Sequence, residues 1–264
     1  MVWASAVLVV GVFAWIVGDL VIGGVGQLSW AFLTAEPLDT GRAGGVGPIL
    51  VSTGLILAVC LATAVPIGLA AAVVLSEAGE GFWARGVRRS LDVLAGVPSI
   101  VFGLFGNVFF CQVLGMGYSI AAGGLTLACM VLPIFVRSAE VGFRAVPEER
   151  RRAAAALAMS RTTTLFRVLL PGALPGLVVG LTLGVGRAGA ETAALIFTSG
   201  FVDRMPESLG DSGRALSIHI FDLSMNVPGG DGNAYASALV LLGLLLLINL
   251  SASLLASRFC VERS

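Results

Sequence analysis

The sequence contains no lysine and only one histidine among its 264 residues. All sixteen basic residues are therefore arginines. A P-loop needs a Gly-Lys pair on its phosphates, so this chain cannot itself carry that kind of ATPase. Schiff-base chemistry of lysine is excluded for the same reason. The single histidine, His219, leaves little material for a Ser-His catalytic arrangement or a multi-histidine metal site.

Cysteine is also scarce, and its placement is uninformative about chemistry. The four cysteines lie in or beside apolar runs, and none has the spacing of a metal ligand: they are Cys60, Cys111, Cys129 and Cys260. We therefore expect packed thiols rather than a disulfide framework or a metal site.

Charged residues make up only 12% of the chain, whereas hydrophobic residues make up 57%. Soluble domains are usually about a quarter charged. Acidic and basic residues balance at sixteen each, so no overall basic field suggests a nucleic-acid partner. Together with a mean hydropathy of +0.96, this composition predicts an integral membrane protein.

Apolar runs of about 20 residues are long enough to cross a bilayer as helices. We predict an all-α protein that forms one transmembrane domain over residues 1–264, with six spans at 2–22, 49–75, 97–114, 119–136, 174–197 and 235–256. The first run lacks a basic leading segment and a clean cleavage site, which indicates an uncleaved span. A long polar loop, 198–234, separates the last two spans.

The arginines are distributed unevenly between the two sides of these spans. The loops after spans two and four, together with the C-terminal tail, hold 12 arginines, and the other loops hold 3. Positively charged loops tend to stay in the cytoplasm. This asymmetry predicts that both termini and the loop 144–170 are cytoplasmic.

The loop 144–170 has the pattern of a short exposed helix. Val146-Pro147 ends the preceding helix, and Glu148 and Glu149 follow in the first turn of a new one. A run of alanines then provides a face of small side chains, and Ser160-Arg161 with three threonines weakens the helix. Such a helix is suited to insertion in a groove of a partner protein.

Charges also occur inside or beside the predicted spans. Arg187 and Glu191 are four residues apart, so we expect them to share a helix face in span five, near the middle of the bilayer. A charge there costs at least ~2.5 kcal/mol, so it should face a partner or a polar path. The residues alone allow an ion pair between helices or an anion path. Arg137, beside Glu140 at the end of span four, is a further candidate for the inner end of that path.

The loop 144–170 resembles the coupling loop of ABC-transporter permeases, which has a Glu-Ala-Ala triplet, a Gly, and a Leu-Pro at fixed distances. Arg152-Ala153-Ala154 stands at the triplet, Ala158 at the glycine and Leu170-Pro171 at the Leu-Pro. The sequence departs from the family at Arg152 and Ala158. The resemblance implies that this loop contacts a partner ATPase.

Other stretches resemble phosphate-transport ABC permeases of the PstA type. They include Leu94-Ala95-Gly96-Val97-Pro98-Ser99-Ile100-Val101 and Arg187-Ala188-Gly189-Ala190-Glu191-Thr192-Ala193. The family usually has Gly at Ala190 and often Pro at Ala193. The resemblance implies the type I ABC importer permease fold in a bacterial inner membrane. It assigns Arg187, Glu191 and Arg137 to a phosphate path.

The same resemblance implies the partners. They are a homologous PstC-type permease, two copies of a cytoplasmic ATPase and a periplasmic phosphate-binding protein, which the loop 198–234 would help to dock. ATP and Mg would be bound by the ATPase, and this chain would bind no cofactor. Three alternatives are a permease for another oxyanion such as phosphonate, sulfate or molybdate, an intramembrane enzyme, and a subunit that carries no substrate.

Overall fold

The computed structural model describes residues 2–79 and 81–261, with side chains from 3 to 79 and from 81 to 254. This part of the chain is all-α, as predicted, apart from one small hairpin. Its α-helices are α1 Val2–Gly24, α2 Trp30–Thr34, α3 Gly47–Glu77, α4 Phe82–Ala95, α5 Ser99–Gly106, α6 Ile120–Arg144, α7 Glu148–Ala156, α8 Arg161–Thr164, α9 Leu170–Gly189, α10 Ala193–Ile196, α11 Leu216–Met225 and α12 Asp231–Val261. The hairpin pairs β1, Pro37–Leu38, with β2, Ala43–Gly44, in antiparallel orientation.

Five helical segments of the described chain are long and apolar enough to cross a membrane. They are Trp3–Gln27, Gly47–Glu77, Ile120–Arg144, Arg161–Gly189 and Asp231–Leu254. A sixth is reached if Phe82–Ala95 and Ser99–Val113, which meet at 99°, are counted as one broken span. The bend falls at Pro98, because the residue before a proline is driven out of helical geometry.

The predicted fifth span, 174–197, is placed differently in the structure. The helix begins at Arg161, where the Ser160 hydroxyl accepts a hydrogen bond from the backbone N–H of Thr163. It runs through π-helical turns at Leu165–Leu169, just before Pro171. Proline has no N–H, so one backbone hydrogen bond of the helix is missing there. It ends at Gly189, so the expectation of one continuous helix to residue 197 was wrong.

The core of the bundle is formed by α3, α6 and α9. Side chains from these helices make one buried cluster that includes Cys60, Leu127 and Ala188. The helices α6 and α9 pack closely, because a Cβ added to Gly176 would lie 2.5 Å from the Cα of Gly142. Such close approach of small residues is common between membrane helices.

The helix α1 lies outside this core. It packs on α12, but no residue in its most apolar stretch is buried within the chain. Its surface therefore faces lipid or another protein.

Candidate transport path and coupling site

The helix α7 is the predicted coupling helix, and its end has a defined geometry. The N–H of Ala158 donates to the carbonyl of Ala155, and the N–H of Met159 donates to the carbonyl of Ala154. These two bonds form a Schellman motif, in which the residue after the cap adopts a left-handed conformation. That residue is Ala158, with φ of +49°. The left-handed conformation costs about 1–2 kcal/mol for a residue with a Cβ, and glycine, which the resemblance to the coupling loop gives at this position, would avoid that cost.

The predicted ATPase-contact residues lie on two sides of this helix. Arg152, Ala153 and Ala158 are exposed, whereas Ala154 is only 3% exposed and anchors α7 to the bundle. Arg152 pairs with Glu148 at 3.2 Å on the solvent face, where such a pair contributes little to stability. Leu170 and Pro171 are half-buried at the start of α9, so they hold the loop in position and are not part of its exposed contact surface.

Two further residues of this region were missed from the sequence, one on the exposed turn and one that faces the bundle. Leu157 is 76% exposed beside Ala158 and is the large apolar side chain of the turn. Arg151 holds α7 to the bundle, because it donates to the carbonyl of Phe143 at 3.0 Å and pairs with Glu77 at the end of α3. The run of three arginines, 150–152, did not show which of them points inward.

The structure separates Arg187 from Glu191, which we expected to share a helix face. Helix α9 ends between them, and Glu191 turns away to cap α10 by accepting a hydrogen bond from the N–H of Ala194 at 3.2 Å. The backbone carbonyl of Glu191 accepts a bond from the Ser217 hydroxyl at 2.6 Å, which holds the break in place. The i, i+4 expectation was therefore wrong, because it presumed a helix through residues 190–192.

Arg187 is left without a carboxylate partner among the described residues. Its side chain is half-buried, and its Nε is buried without a hydrogen-bond partner. A buried donor without a partner is costly, so the guanidinium is available to an acceptor that the isolated chain does not supply.

Contacts between α6 and α9 give the height of Arg187 in the bundle. The two helices are antiparallel, since Gly176, Gly180 and Gly184 approach Gly142, Ser138 and Val131 in turn. Arg187 therefore lies close to the level of residue 128 of α6, about 12 Å from the beginning of that helix. This level is about a third of the way along α6, at the break between α9 and α10.

Arg137 belongs to a separate cluster near the opposite end of α6, roughly 14 Å further along the helix. Its guanidinium makes two bonds to the Asp92 carboxylate, at 2.9 and 3.0 Å, and a third to Glu140 at 3.3 Å. Glu140 is almost fully buried and also contacts Arg88 at 2.6 Å. Sequence reasoning paired Arg137 with Glu140 but missed Arg88 and Asp92, which lie 52 and 45 residues away from these partners.

The loop after α10 is ordered by the beginning of α6. The N–H groups of Ser119, Ile120 and Ala121 donate to carbonyls of Thr198, Asp211 and Leu209 at 2.9–3.0 Å. These bonds satisfy N–H groups that a helix end would otherwise leave free. The segment 198–215 is therefore an ordered cover, held by these bonds over the end of the bundle where α6 begins.

His219 lies next to this cover, in α11, and is 1% exposed. Burial, and then the nearby charge of Arg214, lower the pKa of His219 to about 4. The imidazole is therefore neutral at ordinary pH. Arg214 is held in turn by the carbonyl of Phe201 at 2.8 Å and by Asp222 at 3.3 Å. Within the described residues, no group of three His, Cys, Asp or Glu side chains is placed to hold a metal.

Long apolar helices, with an exposed short helix between two of them and a charged side chain at the break between α9 and α10, define the class of multi-pass helical membrane proteins. Comparison with known sequences gives the family within this class. The chain belongs to the family described as "Binding-protein-dependent transport system inner membrane component", whose model matches residues 64–259.

Two relatives and one solved structure show the extent of the similarity. The probable ABC transporter permease protein YqgI of Bacillus subtilis (strain 168) is 32% identical over 263 residues, which cover 94% of this chain and 88% of that protein. The phosphate transport system permease protein PstA 1 of Mycobacterium tuberculosis (strain CDC 1551 / Oshkosh) is 35% identical over 236 residues, covering 89% and 77%. A chain of the inward-facing MetNI methionine ABC transporter has the same fold, with a TM-score of 0.62 at 18% identity over 80% of this chain and 96% of that one.

The family and the fold establish the general role. The chain is a multi-pass inner-membrane permease subunit of a binding-protein-dependent ABC importer, with the type I importer fold. It is not an enzyme, because ATP hydrolysis in this family is done by partner ATPase subunits, while a binding protein delivers the substrate.

Proposed function

We propose that this permease imports inorganic phosphate and belongs to the PstA type. The single observation that carries the proposal is the Arg187 guanidinium, which is half-buried at the break between α9 and α10 with an unpartnered Nε. The names of several relatives, which are phosphate transport system permeases, support the same substrate.

The chemistry of Arg187 suits a phosphate. A dehydrated phosphate must exchange water for donors that match its oxygens, and the planar guanidinium fork does this with two parallel bonds. Glu191 forms no ion pair with Arg187 among the described residues, and its carboxylate accepts the N–H of Ala194 at the start of α10 instead. Arg187 therefore offers a positive charge that attracts an anion, and Glu191 positions the break rather than the guanidinium.

The remaining parts of the importer follow from this assignment. The partners would be a PstC-type permease, two copies of the ATPase and a phosphate-binding protein, with α7 and both termini in the cytoplasm. The turn formed by Leu157 and Ala158 would enter the ATPase groove, beside Arg152 and Ala153. ATP and Mg would stay on the ATPase, and the chain would act as one transmembrane domain of six spans.

Uptake of labelled phosphate by the reconstituted complex tests the substrate. Arg187→Lys keeps the charge but loses the fork, so we expect uptake per assembled complex to fall at least tenfold, and Arg187→Gln to abolish it. Arg85→Lys, at an exposed position on α4, is the matched control and should leave uptake unchanged. Near-normal uptake by Arg187→Gln would refute the substrate role of Arg187. Stronger competition by sulfate, molybdate or a phosphonate than by phosphate would assign the path to another oxyanion.

Docking of the ATPase is tested separately. Ala158→Trp places bulk on the exposed turn and at a left-handed position, so the ATPase should no longer co-purify although the chain still inserts. Glu36→Trp, in the loop before the hairpin, is the control for bulk away from the turn. Retained co-purification with Ala158→Trp would show that α7 is not the docking helix.

A further inference from the structure

A buried carboxylate stands at the junction between the coupling helix and the bundle. The side chain of Glu140 is only 3% exposed, and three arginines surround it: Arg88 at 2.6 Å, Arg144 at 3.2 Å and Arg137 at 3.3 Å. Arg137 is the one member of this cluster that the family resemblance assigned to the phosphate path, and Glu140, Arg88 and Arg144 have no role in it.

The three arginines connect Glu140 to the neighbouring helices α3 and α4. Arg88 comes from α4 and also donates to the carbonyls of Leu75 and Gly79, at 2.8 and 2.9 Å, which close the end of α3. Arg137 joins Glu140 to Asp92, again on α4. Arg144 is the last residue of α6 and also approaches the carbonyl of Gly79. One carboxylate therefore connects α3, α4 and α6.

The cluster lies immediately next to the coupling helix. Only Ala145, Val146 and Pro147 separate Arg144 from the first residue of α7. Val146 is buried with Phe143 and Leu75 in the same apolar cluster, so this connection is packed rather than loose. Arg151 of α7 adds a bond to the Phe143 carbonyl, one turn after Glu140. A displacement of α7 must therefore act on the end of α6 that carries Glu140.

The helix α4 leads from the cluster to the candidate path. It continues through the 99° bend into α5. There Gly103 packs directly on α10, because a Cβ on Gly103 would lie 2.8 Å from the Cα of Ala194. Ala194 is the residue whose N–H is capped by Glu191, at the break that follows Arg187.

We propose that Glu140 is the positioning residue that makes α4 follow the coupling helix, so that ATP-driven movement of α7 reaches the break beside Arg187. A buried carboxylate is strongly disfavoured without its cations. Glu140 and its three arginines should therefore move together as one unit. The proposal rests on the proposed docking of the ATPase at α7. It does not depend on which anion is carried.

The test measures amide hydrogen exchange in the complete complex, with the ATPase either free of nucleotide or trapped with ATP and vanadate. In the wild type, trapping should change exchange in both α7 and α4. In Glu140→Gln, the α7 response should remain, whereas the α4 response should fall at least fivefold. Asp39→Asn, which removes the acid of an exposed ion pair at the hairpin, is the matched control and should keep both responses.

If Glu140 has a purely structural role, Glu140→Gln should raise exchange across the bundle in both nucleotide states. The difference in α4 exchange between the trapped and the nucleotide-free complex would then stay intact, and this result would overturn the proposal. An unchanged α4 response in Glu140→Gln, or no α4 response in the wild type, would also overturn it. Arg137→Gln, which leaves two arginines on Glu140, serves with the same outcomes if Glu140→Gln does not assemble. If nucleotide trapping causes no change of exchange in α7 of the wild type, the docking of the ATPase at α7 is refuted instead.

Discussion

Replacement of Ala158 by glycine should strengthen the end of the coupling helix. Ala158 has φ of +49°, and the left-handed conformation costs a residue with a Cβ about 1–2 kcal/mol. Glycine removes that cost but loses roughly 0.5–1 kcal/mol through the greater freedom of the unfolded chain. The expected net gain is on the order of 0.5–1 kcal/mol in the free energy of local opening.

The two amides of the Schellman motif report this gain directly. The N–H groups of Ala158 and Met159 donate to carbonyls of Ala155 and Ala154, at 3.0 and 3.1 Å. Their protection from hydrogen exchange should therefore rise about two- to fivefold in Ala158→Gly, as 0.5–1 kcal/mol implies. The measurement is amide exchange of the purified complex, resolved over residues 154–160.

A matched variant separates the backbone effect from a general effect of glycine. Ala155 lies inside α7 with helical geometry, where glycine is about 1 kcal/mol less favourable than alanine. Ala155→Gly should therefore lower the same protection. If both variants lower the protection, Ala158 does not carry the left-handed strain that its φ of +49° implies.

Three further predictions follow from the structure. Cysteine placed at exposed Met205 should react with an impermeant reagent from outside the cell, and cysteine at Thr162 only from inside; the reverse pattern would invert the proposed topology. His219 has a folded pKa of about 4 against an ordinary 6.5, so its contribution to stability is complete above pH 6.5 and is lost as the pH falls towards 4. The melting temperature should drop between pH 7 and 5, and less so in His219→Asn; an equal drop would contradict this. Gly176→Ala should impair assembly, because its Cβ would meet the Gly142 backbone, while Gly186→Ala, with nothing within 4 Å, should be tolerated.

The sequence by itself determined the properties that depend on composition and local pattern. The membrane class follows from 57% hydrophobic and 12% charged residues, because soluble domains are usually about a quarter charged. Apolar runs of about 20 residues are also long enough to cross a bilayer. The helix α7 was predictable from Pro147, the two glutamates and the alanines that follow, since capping and helix propensity act within a few residues.

Only the tertiary structure decided which charges meet. Arg187 and Glu191 fit a helical period, yet the break at residues 190–192 parts them because α10, the Ser217 hydroxyl and the capping bond of Glu191 stabilise a turn there. Glu140 meets Arg88 across 52 residues, and no local pattern encodes that contact. Periodicity describes one helix at a time, whereas the partner of a buried charge is set by the packing of several helices, which satisfies all their polar groups together.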